Sequence, residues 1–207
     1  MIKNTNPGKF IVFEGPDGSG QSTQSSLLKD FLTKKGYEVV LTKEPTVDSE
    51  AGKKIKKILE KEIEADSEEL QQLFVQDRKE HLENLIIPSL KEGKFVISDR
   101  YSFSTFCFGA SAGLDMEKLI EMNKGFMLPD LTFILNVRPE VCVARITKRG
   151  TKKTLFEVKE RLERVMENYK KMPSRFENVK IIDGEKSIEE ISEEIKRVVS
   201  SQLLNKE

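Results

Sequence analysis

Short apolar runs along the chain alternate with longer stretches in which apolar residues recur every three or four positions. The short runs predict β-strands at residues 10–13, 38–42, 95–98, 131–137 and 179–182. The longer stretches predict helices near residues 23–35, 50–60, 67–91, 116–126, 139–148, 155–172 and 187–203. Strands that alternate with helices favour a parallel sheet joined by right-handed crossovers, with helices on both faces. The pattern therefore predicts an α/β fold.

Composition narrows the class of protein. The 207 residues suit one domain with a substantial core, and neither internal repeats nor a flexible linker divide them. The 35 basic and 35 acidic residues cancel, which argues against a general nucleic-acid-binding surface. No apolar run approaches the length that spans a bilayer, and the first residues lack a secretory signal. The two cysteines have no metal-ligand or disulfide spacing, so we expect a cytoplasmic protein without a nucleic-acid or membrane partner.

A glycine-rich segment at residues 15–23 separates the first predicted strand from the first predicted helix. It matches the phosphate-loop pattern G-x-x-x-x-G-K-[ST] at Gly15, Gly20 and Ser22, but Gln21 stands where lysine is usual. Backbone N–H groups and the positive end of the helix would surround a polyphosphate, and the Ser22 hydroxyl could bind Mg²⁺. A glycine turn that binds no nucleotide is the alternative interpretation.

Charged residues follow several of the predicted strands. Lys43-Glu44-Pro45 comes after the second strand and Asp99-Arg100 after the third. In parallel sheets, ligands bind at the carboxyl ends of the strands. An acid at position 99 is suited to order Mg²⁺ beside a phosphate loop, and Arg100 to hold a phosphate through paired hydrogen bonds. The alternative is a weak ion pair at a strand end.

The helix predicted at 67–91 carries an aromatic side chain and a guanidinium four residues apart, Phe74 and Arg78. Residues at this spacing share one face of a helix. A planar nucleobase needs a surface to stack on and a donor for its carbonyl edge, and this pair offers both. Taken alone, Phe74 is more typical of a hydrophobic core than of a binding site. His81 on the same helix has no nucleophile or metal ligand beside it, so we interpret it as packing or surface.

A basic cluster runs from the end of the helix at 139–148 into the following turn: Arg145, Lys148, Arg149, Lys152 and Lys153. A mobile basic segment beside a phosphate loop can close over a phosphoryl group and neutralise its charge. We therefore expect a short lid at about residues 148–156. A solvated basic turn is the alternative.

With these residues assembled, the chain resembles the thymidylate kinase family of P-loop nucleoside monophosphate kinases over roughly residues 8 to 200. The resemblance rests on segments that occur in the family's order: residues 13–20, 42–46, 73–78 and Asp99-Arg100-Tyr101 with Ser104. It implies a five-stranded parallel sheet, Mg²⁺ with ATP as donor, dTMP as acceptor, and a homodimer.

The resemblance also assigns roles to residues of this chain. Ser22 and Asp99 would hold the metal, and Asp17 would contact the sugar 3′-hydroxyl of dTMP. The implied ATP-binding residues are Gly15, Gly18, Ser19, Gly20, Gln21, Ser22, Thr23 and Arg145. The implied acceptor-binding residues are Asp17, Lys43, Pro45, Phe74, Arg78, Arg100, Ser104, Thr105 and Phe108. The implied catalytic residues are Asp17, Asp99, Arg100, Arg149 and Lys153, with the lid cations supplying charge because position 18 is glycine.

Three departures from the family bear on activity. Cys107-Phe108-Gly109 stands where Ala-Tyr-Gln is common, which removes a hydroxyl and an amide near the sugar and base. Lys43 replaces an arginine, and Gln21 removes a positive charge that normally faces the β- and γ-phosphates. We expect transfer of the ATP γ-phosphoryl group to dTMP, with lid cations compensating for Gln21. The alternatives are a nucleotide-binding module with little catalysis and a kinase for another pyrimidine nucleotide or nucleoside.

Overall fold

The computed structural model describes residues 1–148 and 155–204, and of residues 155–158 only the backbone. Seven strands are present in this part of the chain: β1 (Ile2–Lys3), β2 (Lys9–Glu14), β3 (Val39–Lys43), β4 (Phe95–Asp99), β5 (Met127–Leu128), β6 (Leu131–Asn136) and β7 (Val179–Asp183). Five of them form a parallel sheet in the order β3-β4-β2-β6-β7. β1 and β5 pair separately as a short parallel ladder.

The described helices are α1 (Gln21–Lys34), α2 (Glu50–Leu59), α3 (Ser67–His81), α4 (Ile87–Lys91), α5 (Ser102–Ser111), α6 (Met116–Met122), α7 (Pro139–Thr147), α8 (Leu155–Lys170) and α9 (Ile188–Val199). Their starts have chemical causes. Asp66 accepts a hydrogen bond from the Glu69 N–H at the start of α3, and Ser187 forms a capping box with Glu190 at α9. None of these helices has the length and apolar character that crossing a bilayer requires.

Helices cover both faces of the sheet, as the pattern predicts. Alternate residues of β2 point to opposite sides, and both sides are buried. Ile11 and Phe13 pack in one cluster with residues of α1 and α9. Phe10 and Val12 pack in another cluster with Leu82 and with residues of α4. The α/β fold with a five-stranded parallel sheet is therefore confirmed.

Several elements differ from the prediction. α5 was not predicted, because its sequence is apolar on most sides and shows no amphipathic stripe. The helix predicted at 67–91 contains a π-helical turn, Leu82–Ile86, before α4. Pro88, at the start of α4, has no N–H to donate to the preceding turn, which accounts for the wider turn there. The two-residue strands β1 and β5 are too short for their alternation to be recognised.

Candidate active site

A cavity of about 210 Å³ opens where the chain leaves the carboxyl ends of β2, β3 and β4. Segments that follow these strands contribute to its wall, helices α3 and α5 contribute most of the rest, and Leu59 of α2 and Arg161 of α8 complete it. The lining includes Asp17, Glu44, Pro45, Gln71, Phe74, Arg78, Arg100, Tyr101, Ser104, Thr105, Phe108 and Arg161. The carboxyl edge of the sheet is where sequence reasoning placed a ligand, and the cavity lies there.

The phosphate loop lies at the same edge, between β2 and α1. Gly20 precedes α1 in a left-handed conformation, and among the described residues no side chain caps the first N–H groups of this helix. These N–H groups and the helix dipole are therefore available to an anion. The Ser19 hydroxyl is also buried in the loop without a hydrogen-bond partner among the described residues. Both features fit a loop that is completed by bound phosphate.

The Gln21 side chain binds the backbone of this loop. Its side chain is 5% exposed, and its Nε2 donates a hydrogen bond of 2.9 Å to the Gly15 carbonyl. The Gly15 carbonyl also accepts a 3.1 Å hydrogen bond from Arg100 Nη1. Gln21 thus ties the loop together but brings no charge to it.

Arg100 links the loop to the cavity. Its backbone has a φ of 76°, which is rare for a residue with a side chain. Two hydrogen bonds hold the backbone there: the Arg100 N–H donates to the Phe13 carbonyl, and the Arg100 carbonyl accepts from the Ser98 hydroxyl. Its guanidinium contacts Gly15, the Ser104 hydroxyl at 3.0 Å and Asp17 at 2.8 Å. Burial alone would lower the pKa of Arg100, but Asp17 and the other acidic neighbours raise it above its ordinary value. The guanidinium therefore stays charged at the junction of the loop and the cavity.

Two oxygen ligands suited to Mg²⁺ meet beside the loop. Ser22 Oγ lies 2.5 Å from Asp99 Oδ2, so the two residues expected to hold a metal are adjacent. Lys43 Nζ lies 3.2 Å from the same Asp99 oxygen. Hydroxyl and carboxylate oxygens are the ligands that Mg²⁺ prefers, and it commonly takes only one or two from protein beside phosphate and water. The donor set fits this ion.

Glu14, the last residue of β2, connects the loop to α5. Its Oε1 accepts hydrogen bonds from the Tyr101 and Ser104 N–H groups, at 3.0 and 3.1 Å. Its Oε2 accepts hydrogen bonds from the hydroxyls of Ser104 and Tyr169, at 2.6 and 2.8 Å. Burial raises the pKa of this carboxyl from 4.5 to about 7, although the Ser104 hydrogen bond, Arg100 and Tyr169 oppose the rise. Glu14 thus caps the start of α5, the helix that carries three acceptor-site candidates.

The candidate base-binding side of the cavity is formed by α3 and α5. Phe74 and Arg78 both line it, so the helical spacing correctly brought them together. Arg78 is 1% exposed and donates hydrogen bonds to Glu44, Asn123 and Thr105. The Arg78 guanidinium is therefore held rigidly at the cavity wall.

His81, which we interpret from the sequence as packing or surface, is buried beside this wall. Its Nδ1 lies 3.2 Å from Glu44 Oε1, and its Nε2 lies 2.7 Å from the Thr42 hydroxyl. Glu44 in turn pairs with Arg78 at 2.8 Å. Of these two possibilities the structure shows packing, and the histidine orients the carboxylate that fixes Arg78.

Gln71 and Arg161 are among the polar cavity residues that the sequence analysis does not assign to the site. Gln71 lies three residues before Phe74 on α3, and this helical spacing could have identified it. Arg161 on α8 has its guanidinium carbon 5.4 Å from the centroid of Phe108, and Arg100 approaches the same ring at 5.1 Å. No local signal marks Arg161, because only the packing of α8 against α5 brings it to the cavity.

The other candidate residues lie at the cavity, in a neighbouring groove, at the phosphate loop or outside the described residues. Pro45, Ser104 and Thr105 line the cavity as expected, whereas Lys43 is absent from its wall and borders a neighbouring surface groove. Arg145 reaches the phosphate loop, with contacts of 3.4 Å to the carbonyls of Gly18 and Ser19. Most of the expected lid, including Arg149, Lys152 and Lys153, lies outside the described residues.

The phosphate loop lies between a strand and a helix, Ser22 of that helix lies against Asp99, and the cavity adjoins them. These features define a P-loop protein of the nucleotide-kinase type. A family model described as thymidylate kinase matches residues 13–195. A protein of Pyrococcus horikoshii named "Probable thymidylate kinase" is 41% identical over 202 residues, covering 95% of this chain and 98% of its own. A protein of the same name from Thermococcus onnurineus is 42% identical, covering 95% of this chain and 100% of its own. The "Thymidylate kinase" of Leptospira borgpetersenii is 39% identical, covering 89% and 90%.

The chain therefore belongs to the thymidylate kinase family. Members of this family are enzymes of the ATP-dependent kinase class. The resemblance drawn from the sequence is confirmed.

The buried carboxyl of Glu14 predicts a pH-dependent stability. Its pKa is about 7 in the folded chain and near 4.5 when exposed, so between these values the folded state binds the extra proton. The stabilisation that this proton adds to the unfolding free energy is complete below pH 4.5 and is lost as pH rises through about 7. Glu14→Gln keeps the shape without titrating. The unfolding free energy of the unaltered chain minus that of the variant should fall by on the order of 3 kcal/mol from pH 4.5 to about 8, measured by urea titration; a constant difference would contradict this.

Position 18 of the phosphate loop has no room for a side chain. Gly18 has a φ of +86°, and a Cβ there would lie 2.8 Å from the Cys142 carbonyl oxygen. We expect Gly18→Ala to cost about 2–5 kcal/mol in unfolding free energy from combined strain and overpacking. Gly113 is the matched control, with a φ of +95° but open space around it. Gly113→Ala should cost only about 1–2 kcal/mol, and equal losses in the two variants would refute the role of the Cys142 contact.

Proposed function

We propose that this chain transfers the γ-phosphoryl group of ATP to dTMP and releases dTDP and ADP. Membership of the thymidylate kinase family supports this assignment. The structural observation that carries it is Arg100, whose guanidinium contacts both the phosphate-loop carbonyl of Gly15 and Asp17 in the cavity wall. One residue thus adjoins a place for donor phosphates and a place for an acceptor, as direct transfer between two nucleotides requires.

On the donor side, the free N–H groups at the start of α1 would bind the ATP phosphates, with Arg145 beside the loop. Ser22 and Asp99 would hold Mg²⁺, which when bound neutralises phosphate charge. Lys43 contacts the same Asp99 carboxylate, so it would hold this acid in place or be displaced toward a phosphate.

On the acceptor side, the cavity would hold dTMP with its base against Phe74 and Arg78. Arg100 would orient the acceptor phosphate toward the loop, so that one of its oxygens attacks the γ-phosphorus as the bond to the β-phosphate breaks. Asp17 is positioned by its 2.8 Å contact with Arg100, and we assign it to the sugar hydroxyl. Arg78 would donate a hydrogen bond to the edge of the base, because Glu44, Asn123 and Thr105 fix the plane of its guanidinium.

Gln21 lowers the rate of this transfer without abolishing it. The loop keeps its shape, since Gln21 Nε2 bonds the Gly15 carbonyl. The missing positive charge is the difference from a loop with lysine, and we propose that Arg149 and Lys153 of the lid supply part of it.

We expect Gln21→Lys to raise kcat by about 10- to 100-fold, with little change in KM for dTMP. Loss of one preorganised electrostatic partner typically costs about 10²–10³ in rate, and partial compensation by the lid reduces the gain. The measurement is ADP formation with saturating ATP and dTMP. Ser26→Lys, which adds the same charge at an exposed position of α1, should leave kcat unchanged.

Three results would contradict these assignments. No turnover by the unaltered chain, with full activity in Gln21→Lys, would refute compensation by the lid. Binding of dTMP without turnover in either form would refute the kinase function and favour a binding module. Preference for a nucleoside or another pyrimidine nucleotide over dTMP would refute the acceptor assignment.

We also propose that the protein acts in the cytoplasm as a homodimer. Its two cysteines are buried and unpaired, which fits a reducing compartment. Val47 is 71% exposed, and together with Leu85 it borders a surface groove between the β3–α2 connection and the end of α3. An exposed apolar surface of this kind suits a contact between copies.

Val47→Glu should shift the oligomer toward the monomer in light scattering, because it places a charge in the contact. Ile188→Glu, at an apolar position that is 52% exposed outside this groove, should not. A monomeric unaltered chain, or a dimer unaffected by Val47→Glu, would contradict the proposed contact.

A further inference from the structure

Gln71 is a buried polar residue that lacks a partner. Its side chain is 5% exposed and lines the candidate acceptor cavity from α3. Its Oε1 is buried and accepts no hydrogen bond within the described part of the chain. Leaving a buried amide oxygen unsatisfied is costly, and native proteins keep few such atoms. The position therefore points to a group that arrives from outside the chain.

The surroundings of Gln71 indicate which part of a ligand it meets. Gln71, Phe74 and Arg78 are spaced three and four residues apart, so they share one face of α3, and all three line the cavity. Phe74 offers a stacking surface and Arg78 a fixed donor. A carboxamide beside them is placed to meet the planar part of an acceptor. The charged residues that adjoin the loop lie outside this helix.

Gly109 on α5 lies beside Gln71. A Cβ at position 109 would lie 3.4 Å from Gln71 Cδ and 2.8 Å from a methyl carbon of Leu119. The Gln71 amide thus lies against the surface that a side chain on residue 109 would occupy. This is the position where the sequence lacks an amide that is common in the family.

We propose that Gln71 recognises the base of the acceptor nucleotide, through hydrogen bonds between its carboxamide and the polar edge of a pyrimidine. A carboxamide presents one acceptor and two donors, which complement the adjacent N–H and carbonyl groups of such a base. The amide lost at position 109 is supplied from α3 instead. This inference rests on the proposed function, because it takes dTMP as the acceptor.

The test replaces Gln71 by methionine, which has nearly the same size but no hydrogen-bonding amide. We expect Gln71→Met to weaken dTMP binding by about 10- to 100-fold, the range for a buried polar group that loses its partner. Binding of 2-deoxyribose 5-phosphate, which has no base, should be unchanged, as measured by competition with dTMP. Gln71→Asn, which stays polar but falls short by one methylene, should also weaken dTMP binding and not that of the sugar phosphate.

Gln72→Met is the matched control, because Gln72 is the exposed neighbour on α3 and does not line the cavity. It should bind both compounds like the unaltered chain. Unliganded Gln71→Met should unfold at a temperature no lower than that of the unaltered chain, since it removes an unsatisfied buried polar group. This measurement separates lost recognition from lost folding.

Unchanged dTMP affinity in Gln71→Met would overturn the inference and assign the buried oxygen to a water molecule. Equal weakening of dTMP and 2-deoxyribose 5-phosphate would also overturn it, because the effect would then be one of cavity shape. Failure of the proposed function is distinguishable from both results. In that case the unaltered chain itself does not bind dTMP.

Discussion

The carboxyl group of Glu14 joins the two halves of the site. It ends β2 directly before the phosphate loop, and its two oxygens accept hydrogen bonds from the start of α5 and from Tyr169 on α8. A change in the position of this group would move α5, and with it Ser104, Thr105 and Phe108 of the cavity wall. The raised pKa of Glu14 reflects the burial that this junction requires.

Arg100 extends this junction to the ligands. Its unusual backbone conformation directs the guanidinium between the loop and the cavity, where Gly15, Ser104 and Asp17 fix it. Such strain persists only where the surrounding structure holds it, and it is concentrated at functional sites. Gln21 belongs to the same arrangement, because it bonds the same loop carbonyl. With glutamine at position 21, the loop therefore keeps its shape but lacks the positive charge that a lysine would bring.

Much of this site could be predicted from the sequence. The glycine loop, Asp99-Arg100 and the Phe74/Arg78 pair are marked by local spacing, and each lies where a parallel sheet places ligands. Helix α5 was missed because it is buried on several sides and shows no stripe. Arg161 reaches Phe108 only through the packing of α8, and buried His81 contacts Glu44, which is 37 residues away in the chain. These relations join residues that are distant in the chain, and no local pattern encodes them.

We propose that phosphoryl transfer occurs directly between two nucleotides held at this junction. The most direct measurement incubates the unaltered chain with Mg²⁺, dTMP and ATP labelled in its γ-phosphate, and separates the products. Label that appears in dTDP, in equal amount to the ADP formed, is the result we expect. Label released as inorganic phosphate, or no labelled dTDP although both nucleotides bind, would contradict the account.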